Sequence, residues 1–204
     1  MKQKFFIAIV TLFVLIFTAC SPAQTPLPAT VPPTQPVSQI QYHPLDTLTN
    51  IPDLDAVIKA VASRDPQQLR DLFQYAKIPC MTVNALGGPP ACRDGEAEGT
   101  PVEVLPSRGP EGSFLHKDEA KNFPALNALG LYAIYRVPES AHSDPNYPSG
   151  EYGIVYWTDA DTPDIDLQVT DGKIVRIDYI FGYPESNELL PPGVTDFILE
   201  PVSK

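Results

Sequence analysis

Basic residues are scarce: fourteen Lys and Arg stand against twenty-five Asp and Glu, a formal net charge of −11. No stretch gathers the cations into a patch, so the surface repels phosphate backbones and nucleic acid is excluded as a partner. Cysteine and histidine are few as well, three of each. His43, His116 and His142 are scattered, and Cys80 and Cys92 lie twelve residues apart. The paired short spacings of a zinc site are therefore missing, and so is the Cys-x-x-Cys of a redox pair. No Gly-x-Ser-x-Gly occurs, which removes the serine nucleophile elbow. No internal repeat is visible, and no cofactor or metal is expected.

What is present begins with an address. Lys2 and Lys4 precede an apolar run over residues 5–17 that only Thr11 interrupts. As a helix it would be about 20 Å long, short of the roughly 30 Å of bilayer hydrocarbon. It fits the core of a secretory signal instead. The run ends in Phe17-Thr18-Ala19-Cys20, which resembles the lipobox of bacterial lipoproteins, although Phe17 stands where an aliphatic residue is usual. The resemblance implies cleavage before Cys20, a diacylglycerol on its thiol and an acyl chain such as palmitate on its new amino group. Two or more chains anchor stably where a single one is marginal. Residues 1–19 are thus expected to be a signal peptide, and the remainder to sit on the outer face of a bacterial membrane. Loss of Lys2 and Lys4 leaves twelve basic residues against twenty-five acidic ones, a net charge of −13.

Residues 21–41 carry six prolines, Pro22, Pro26, Pro28, Pro32, Pro33 and Pro36, among Thr, Ser, Gln and Ala. Proline fixes its backbone torsion and has no amide hydrogen, so such a run favours extended polyproline II. About twenty residues reach roughly 60 Å at full extension. Residues 20–44 are accordingly expected to be a lipidated stalk, and residues 45–204 one ordinary domain.

With Cys20 assigned to the anchor, Cys80 and Cys92 form a pair in an exported chain and are expected to be disulfide-bonded. The loop between them contains Gly87-Gly88-Pro89-Pro90. Its prolines remove the amides that a phosphate cradle needs, and Glu96 and Glu98 add repulsion.

Leu54, Val57, Ile58 and Val61 recur at helical spacing, and Asp65-Pro66-Gln67-Gln68 has the makings of a second helix start, with Asp65 as N-cap and Gln68 placed for a capping box. Leu69, Leu72, Phe73 and Ala76 continue that stripe. Downstream the period changes to two. Strands are expected over 102–105, 131–137, 151–158, 165–170 and 173–181, with a sixth over 194–199 and a helical stretch around Leu126 and Leu129 ending at Gly130. Asp171-Gly172 signals a type I′ hairpin turn. Helices first and antiparallel strands afterwards argue for an α+β fold, with N-terminal helices packed on a curved antiparallel sheet of four to six strands and one disulfide-closed loop.

DAVIKAVASRDPQQLRDLF (residues 55–73) resembles the opening helices of NTF2-like, cystatin-like α+β cone domains, and VTDGKIVRIDYIFG (residues 169–182) is similar to their terminal hairpin. The resemblance implies a cone closed at one end by helices, sometimes a pocket for a small molecule, and often a homodimer formed through the sheet. The superfamily includes isomerases and dehydratases as well as members without chemistry.

Along 173–181, strict alternation puts Val175, Ile177, Tyr179 and Phe181 on one face, expected to be core, and Ile174, Arg176, Asp178 and Ile180 on the other. Arg176 and Asp178 stand either to line a ligand pocket with Tyr135, Arg136 and Tyr156 or to pair on a wet outer face. Asp159, Asp161, Asp164 and Asp166 invite a calcium reading, but an EF-hand counted from Asp159 has Pro163, Asp164 and Thr170 where a ligand, Gly and Glu belong. A solvated loop is expected there. His116 with Asp118 and Glu119 is expected at the first turn of a surface helix rather than in acid-base work. The function that follows is a non-catalytic ligand-binding or protein-interaction module at the cell envelope, membrane-bound through its lipid, the alternative being an isomerase, dehydratase or hydrolase working in a cone pocket.

Overall fold

A computed structural model describes residues 41–83, 85–141, 144–159, 161–181 and 189–202. The signal run, Cys20, most of the stalk and His142 lie outside the described residues. Among the described residues no helix is long and apolar enough to cross a membrane.

Two helices open the fold, α1 (Pro52–Ser63) and α2 (Pro66–Arg70). The expected stripe of α1 faces inward: Leu54, Val57 and Ile58 are fully buried and Val61 nearly so. Each contributes about 2 kcal/mol of hydrophobic stabilisation. Asp65 caps α2 by accepting from the Gln67 amide at 2.8 Å. The expected capping box does not close. Gln68 Nε2 donates instead to the Asp65 carboxylate at 3.1 Å, while the Asp65 amide is taken by Ser63 Oγ.

Among the described residues eight strands follow: β1 (Ala76–Pro79), β2 (Pro101–Arg108), β3 (Ser113–His116), β4 (Gly130–Arg136), β5 (Tyr152–Trp157), β6 (Asp164–Thr170), β7 (Lys173–Ile180) and β8 (Phe197–Leu199). They form one open sheet in the order β1-β2-β7-β6-β5-β4-β8, with β3 paired to β2. The α+β class holds, but the sheet has eight strands rather than four to six and it is mixed, because β2 runs parallel to β7. β4 to β7 form the antiparallel meander. The helix expected around Leu126 does not form. A single 3₁₀ turn at Glu119–Asn122 precedes extended chain, since Pro124 cannot supply an amide to a helix interior.

Asp171 and Gly172 both have positive φ, 49° and 69°, as a type I′ turn requires. Beyond the turn, Gln168 pairs with Arg176 but Val169 with Ile174, so Val175 is an extra residue in β7. This bulge breaks the strict alternation and corrects the expected faces. Ile174 joins Ile177 and Tyr179 on the α1 side, while Arg176, Asp178 and Ile180 lie opposite Gln168, Asp166 and Asp164. Phe181, expected in the core, is exposed.

The sheet therefore has two covered faces. The main core lies between α1 and Leu131, Ile134, Ile154, Tyr156, Leu167 and Ile174. On the other face, Tyr135 and Val155 pack with Leu189, Leu190 and Val194 from the segment that leads to β8. The incoming chain pairs with β4 through reciprocal bonds between His43 and Leu131, and His43 Nε2 meets the Glu200 carbonyl at 2.9 Å. His43 thus lies against β4, three strands from β7 in the sheet order.

Cys80 and Cys92 are disulfide-bonded, with Cα atoms 4.9 Å apart. Cys80 is buried against Ile78, Val102 and Val104, and a reciprocal bond pair links Met81 with Pro90 and Cys92 across the loop mouth. The loop raises Val83 and Leu86 into solvent.

Candidate functional site

Polar side chains are buried on the sheet face away from α1, which is where a sheet normally needs apolar ones. Asp166 and Gln168 project there from β6, and Arg176 and Asp178 from β7; Asp166, Gln168 and Arg176 are at most 4% exposed. Each such group must find a partner or destabilise the fold.

Tyr135 supplies the first partner. Its hydroxyl donates to Asp166 Oδ2 at 2.5 Å, although β5 lies between their two strands. Gly153 of β5 makes the crossing possible, because any Cβ there would sit 2.2 Å from the Tyr135 ring. Gln168 Nε2 donates to the same Asp166 oxygen at 2.8 Å and to the Tyr135 hydroxyl at 3.1 Å, while its Oε1 accepts from the Gly150 amide. Among the described residues Asp166 Oδ1 has no hydrogen-bond partner.

Arg176 is fully committed. Nε and Nη2 donate to the two Asp178 oxygens at 2.7 and 2.8 Å, and Nη1 donates to the Tyr147 carbonyl at 2.8 Å and Ser149 Oγ at 3.0 Å. The pair therefore pins the 147–149 segment to the sheet.

Burial raises the Asp166 carboxyl to about 7, helped by the nearby Asp178 charge and opposed by the hydrogen bonds from Tyr135 and Gln168 and the charge of Arg176. Tyr135 is held strongly upward, by burial first and then by the Asp166 charge, so it stays a neutral phenol that donates to Asp166 while accepting from Gln168.

A cleft of about 460 Å³ reaches this network from outside. Asp166 and Asp178 line it from the sheet, Leu189, Leu190, Pro191 and Pro192 from the segment across it, and Arg108 from β2. Arg108 has no ion pair among the described residues, and it is the register partner of Asp178 on β7.

Of the five residues expected to share a pocket, Tyr135, Arg176 and Asp178 do lie on one face. Arg136 and Tyr156 lie on the other. Arg136 is exposed at the β4 edge, bridging Glu151 and Asp196 at 3.0 and 3.3 Å and stacking over Tyr152. Tyr156 is fully buried in the main core, its hydroxyl without a partner among the described residues and its pKa raised by burial. The acidic run divides in the same way. Asp159 closes a local turn onto Thr162, and Asp164 is buried, accepting from the Thr158 amide and hydroxyl. Asp166, expected in a solvated loop, is the buried centre of the network. No group of three or more potential metal ligands occurs among the described residues.

A larger hollow, about 550 Å³, lies between the disulfide loop and β3. Its Arg93 is spent on exposed bridges to Asp118 and Glu119 at 2.6 and 2.9 Å, and none of its lining side chains is a buried polar group in search of a partner. His116 ends β3 beside this hollow, with Glu119 accepting from its amide.

Comparison with family models, with curated proteins and with solved structures finds no match to this chain.

Proposed function

We propose that the chain is an exported lipoprotein, held by lipid on Cys20, whose body is a non-catalytic ligand-binding module working through the cleft over Asp166. One observation carries the binding part: a fully buried carboxylate with one oxygen satisfied twice and the other unpartnered. A buried acceptor left in that state costs about 1–3 kcal/mol, a cost that a bound donor removes.

The NTF2-like resemblance is supported by helices preceding the sheet and by α1 packing on the β6–β7 hairpin. The parallel β2–β7 pairing is an addition to that pattern. A second reading, an isomerase, dehydratase or hydrolase, draws on the carboxyl at about 7, a suitable value for a general base at neutral pH. The binding reading is preferred because Tyr135, Gln168, Arg176 and Asp178 are locked to one another or to Asp166, leaving Asp166 Oδ1 as the network's acceptor without a partner among the described residues.

Intact mass of membrane-extracted protein tests the tether: a chain starting at Cys20 with added acyl mass is expected, and retained residues 1–19 or a bare Cys20 contradict it. Native mass spectrometry of the same preparation tests the binding module. A bound small molecule that is lost on denaturation supports the reading; product formation from such a molecule favours the enzyme.

A further inference from the structure

We propose that the cleft recognises a small amino-acid-like zwitterion with an apolar side chain, its ammonium on Asp166 Oδ1 and its carboxylate toward Arg108. The proposal rests on the binding reading above and names the chemistry of the ligand.

The floor sets the first requirement. Asp166 Oδ2 already accepts from Tyr135 and Gln168, so Oδ1 is the atom with capacity to spare. It can accept a hydrogen bond and it carries negative charge, so its complement is a donor, and a cationic donor gains most where water is excluded. An anion has no place at this end. Asp178 stands opposite Asp166 in the β6–β7 register and, although paired with Arg176, adds a second carboxylate.

The rim sets the second. Arg108, Asp178 and Asp166 occupy neighbouring positions on three successive strands. At about 4.8 Å per strand the Arg108 and Asp166 backbones are roughly 10 Å apart. Arg108 is exposed, and among the described residues it has no carboxylate of its own. Opposite charges at the two ends of one short cleft suit a molecule that carries both.

The roof sets the third. Leu190, Pro191, Pro192 and Ile180 line the cleft, giving an apolar wall against which a hydrocarbon side chain can lie. A volume of about 460 Å³ lies within the range of small-molecule sites. The raised pKa of Asp166 agrees with this assignment, since burial and the Asp178 charge disfavour the charged form that a bound ammonium would favour.

Calorimetric titration of the mature full-length protein with three probes separates the requirements: leucine, 3-methylbutylamine, which lacks the acid group, and 4-methylpentanoate, which lacks the amino group. Leucine should bind tightest, the amine at least about tenfold more weakly, and the acid not measurably. Asp166→Asn should abolish binding of leucine and amine alike. Arg108→Gln, a surface change that does not depend on tolerance of the buried network, should bring leucine down to the level of the amine while leaving the amine unchanged. Acid binding as tight as leucine, or equal loss of leucine and amine in Arg108→Gln, overturns the inference while the binding module stands. Silence from all three probes also overturns it, and native mass spectrometry then judges the binding module separately.

Discussion

Tyr135 lies across Gly153, so close that a side-chain carbon at position 153 would fall 2.2 Å from the phenol ring. The bare backbone of β5 is the gap through which a residue of β4 reaches a carboxylate on β6. Gly153→Ala should therefore cost about 1–3 kcal/mol by overpacking. Urea unfolding of Gly153→Ala, Tyr135→Ala and the double variant should give a coupling energy well above zero, because the clash needs both side chains. Additive costs would mean that the two residues do not meet.

Tyr135→Phe keeps the ring and removes one donor from Asp166. The expected loss is about 1–3 kcal/mol, measured by urea unfolding at neutral pH. The loss should shrink in an Asp166→Asn background, where the carboxylate is gone. An unchanged loss there would detach the hydroxyl from Asp166.

Burial holds the Asp166 carboxyl at about 7, above its ordinary value of 3.8. The folded state therefore binds this proton more tightly than the unfolded state does. Its stabilising contribution is complete below about pH 4, declines as pH rises, and is gone above about pH 7. Tyr135 from β4, Gln168 from β6 itself, Asp178 and Arg176 from β7, and Arg108 at the rim are the groups that face it. Wild type minus Asp166→Asn isolates the effect from other carboxylates. The stability difference should move against wild type by a few kcal/mol between about pH 4 and pH 8, and a flat difference would contradict the burial of a titrating carboxyl.

The sequence made parts of this arrangement legible and hid others for physical reasons. The α1 stripe and the Asp171-Gly172 turn could be read because period and turn chemistry are local properties. β1 and β3 were missed because each has only four residues, too few to show a period, and because Pro79 ends one and Gly112 precedes the other. The faces of β7 were misassigned by one bulge at Val175, which carries no turn signal. Asp166 was grouped with Asp159 and Asp161 as loop. Its partner Tyr135 stands two strands away on β4 and reaches it across the bare backbone of Gly153 on β5, a long-range fit that no local pattern encodes. Tyr156 and Arg136 were drawn toward the site by their chemistry, but each belongs to the opposite face.

Arg176 holds Asp178 and the 147–149 segment together. Arg176→Met should cost about 3 kcal/mol, since it strands a largely buried carboxylate, and it should release the 147–149 backbone to faster amide exchange. Unaltered exchange there would show that the segment is held by other contacts.

The disulfide closes a loop of twelve residues' separation. Reduction, or Cys80→Ser with Cys92→Ser, should lower stability by about 3 kcal/mol in the loop-entropy account, read as a shift in the urea midpoint with and without reductant. No shift would assign the bond a role other than stabilising the body.

The central claim is that Asp166 is a buried carboxyl with one oxygen left without a partner for a ligand to satisfy, and carbon-13 NMR titration of that carboxyl tests it most directly. The account predicts a midpoint near 7 in the free protein, moving downward when leucine is bound because the ammonium favours the charged form. A midpoint in the ordinary aspartate range, close to 4, and indifferent to leucine would contradict both the burial and the site.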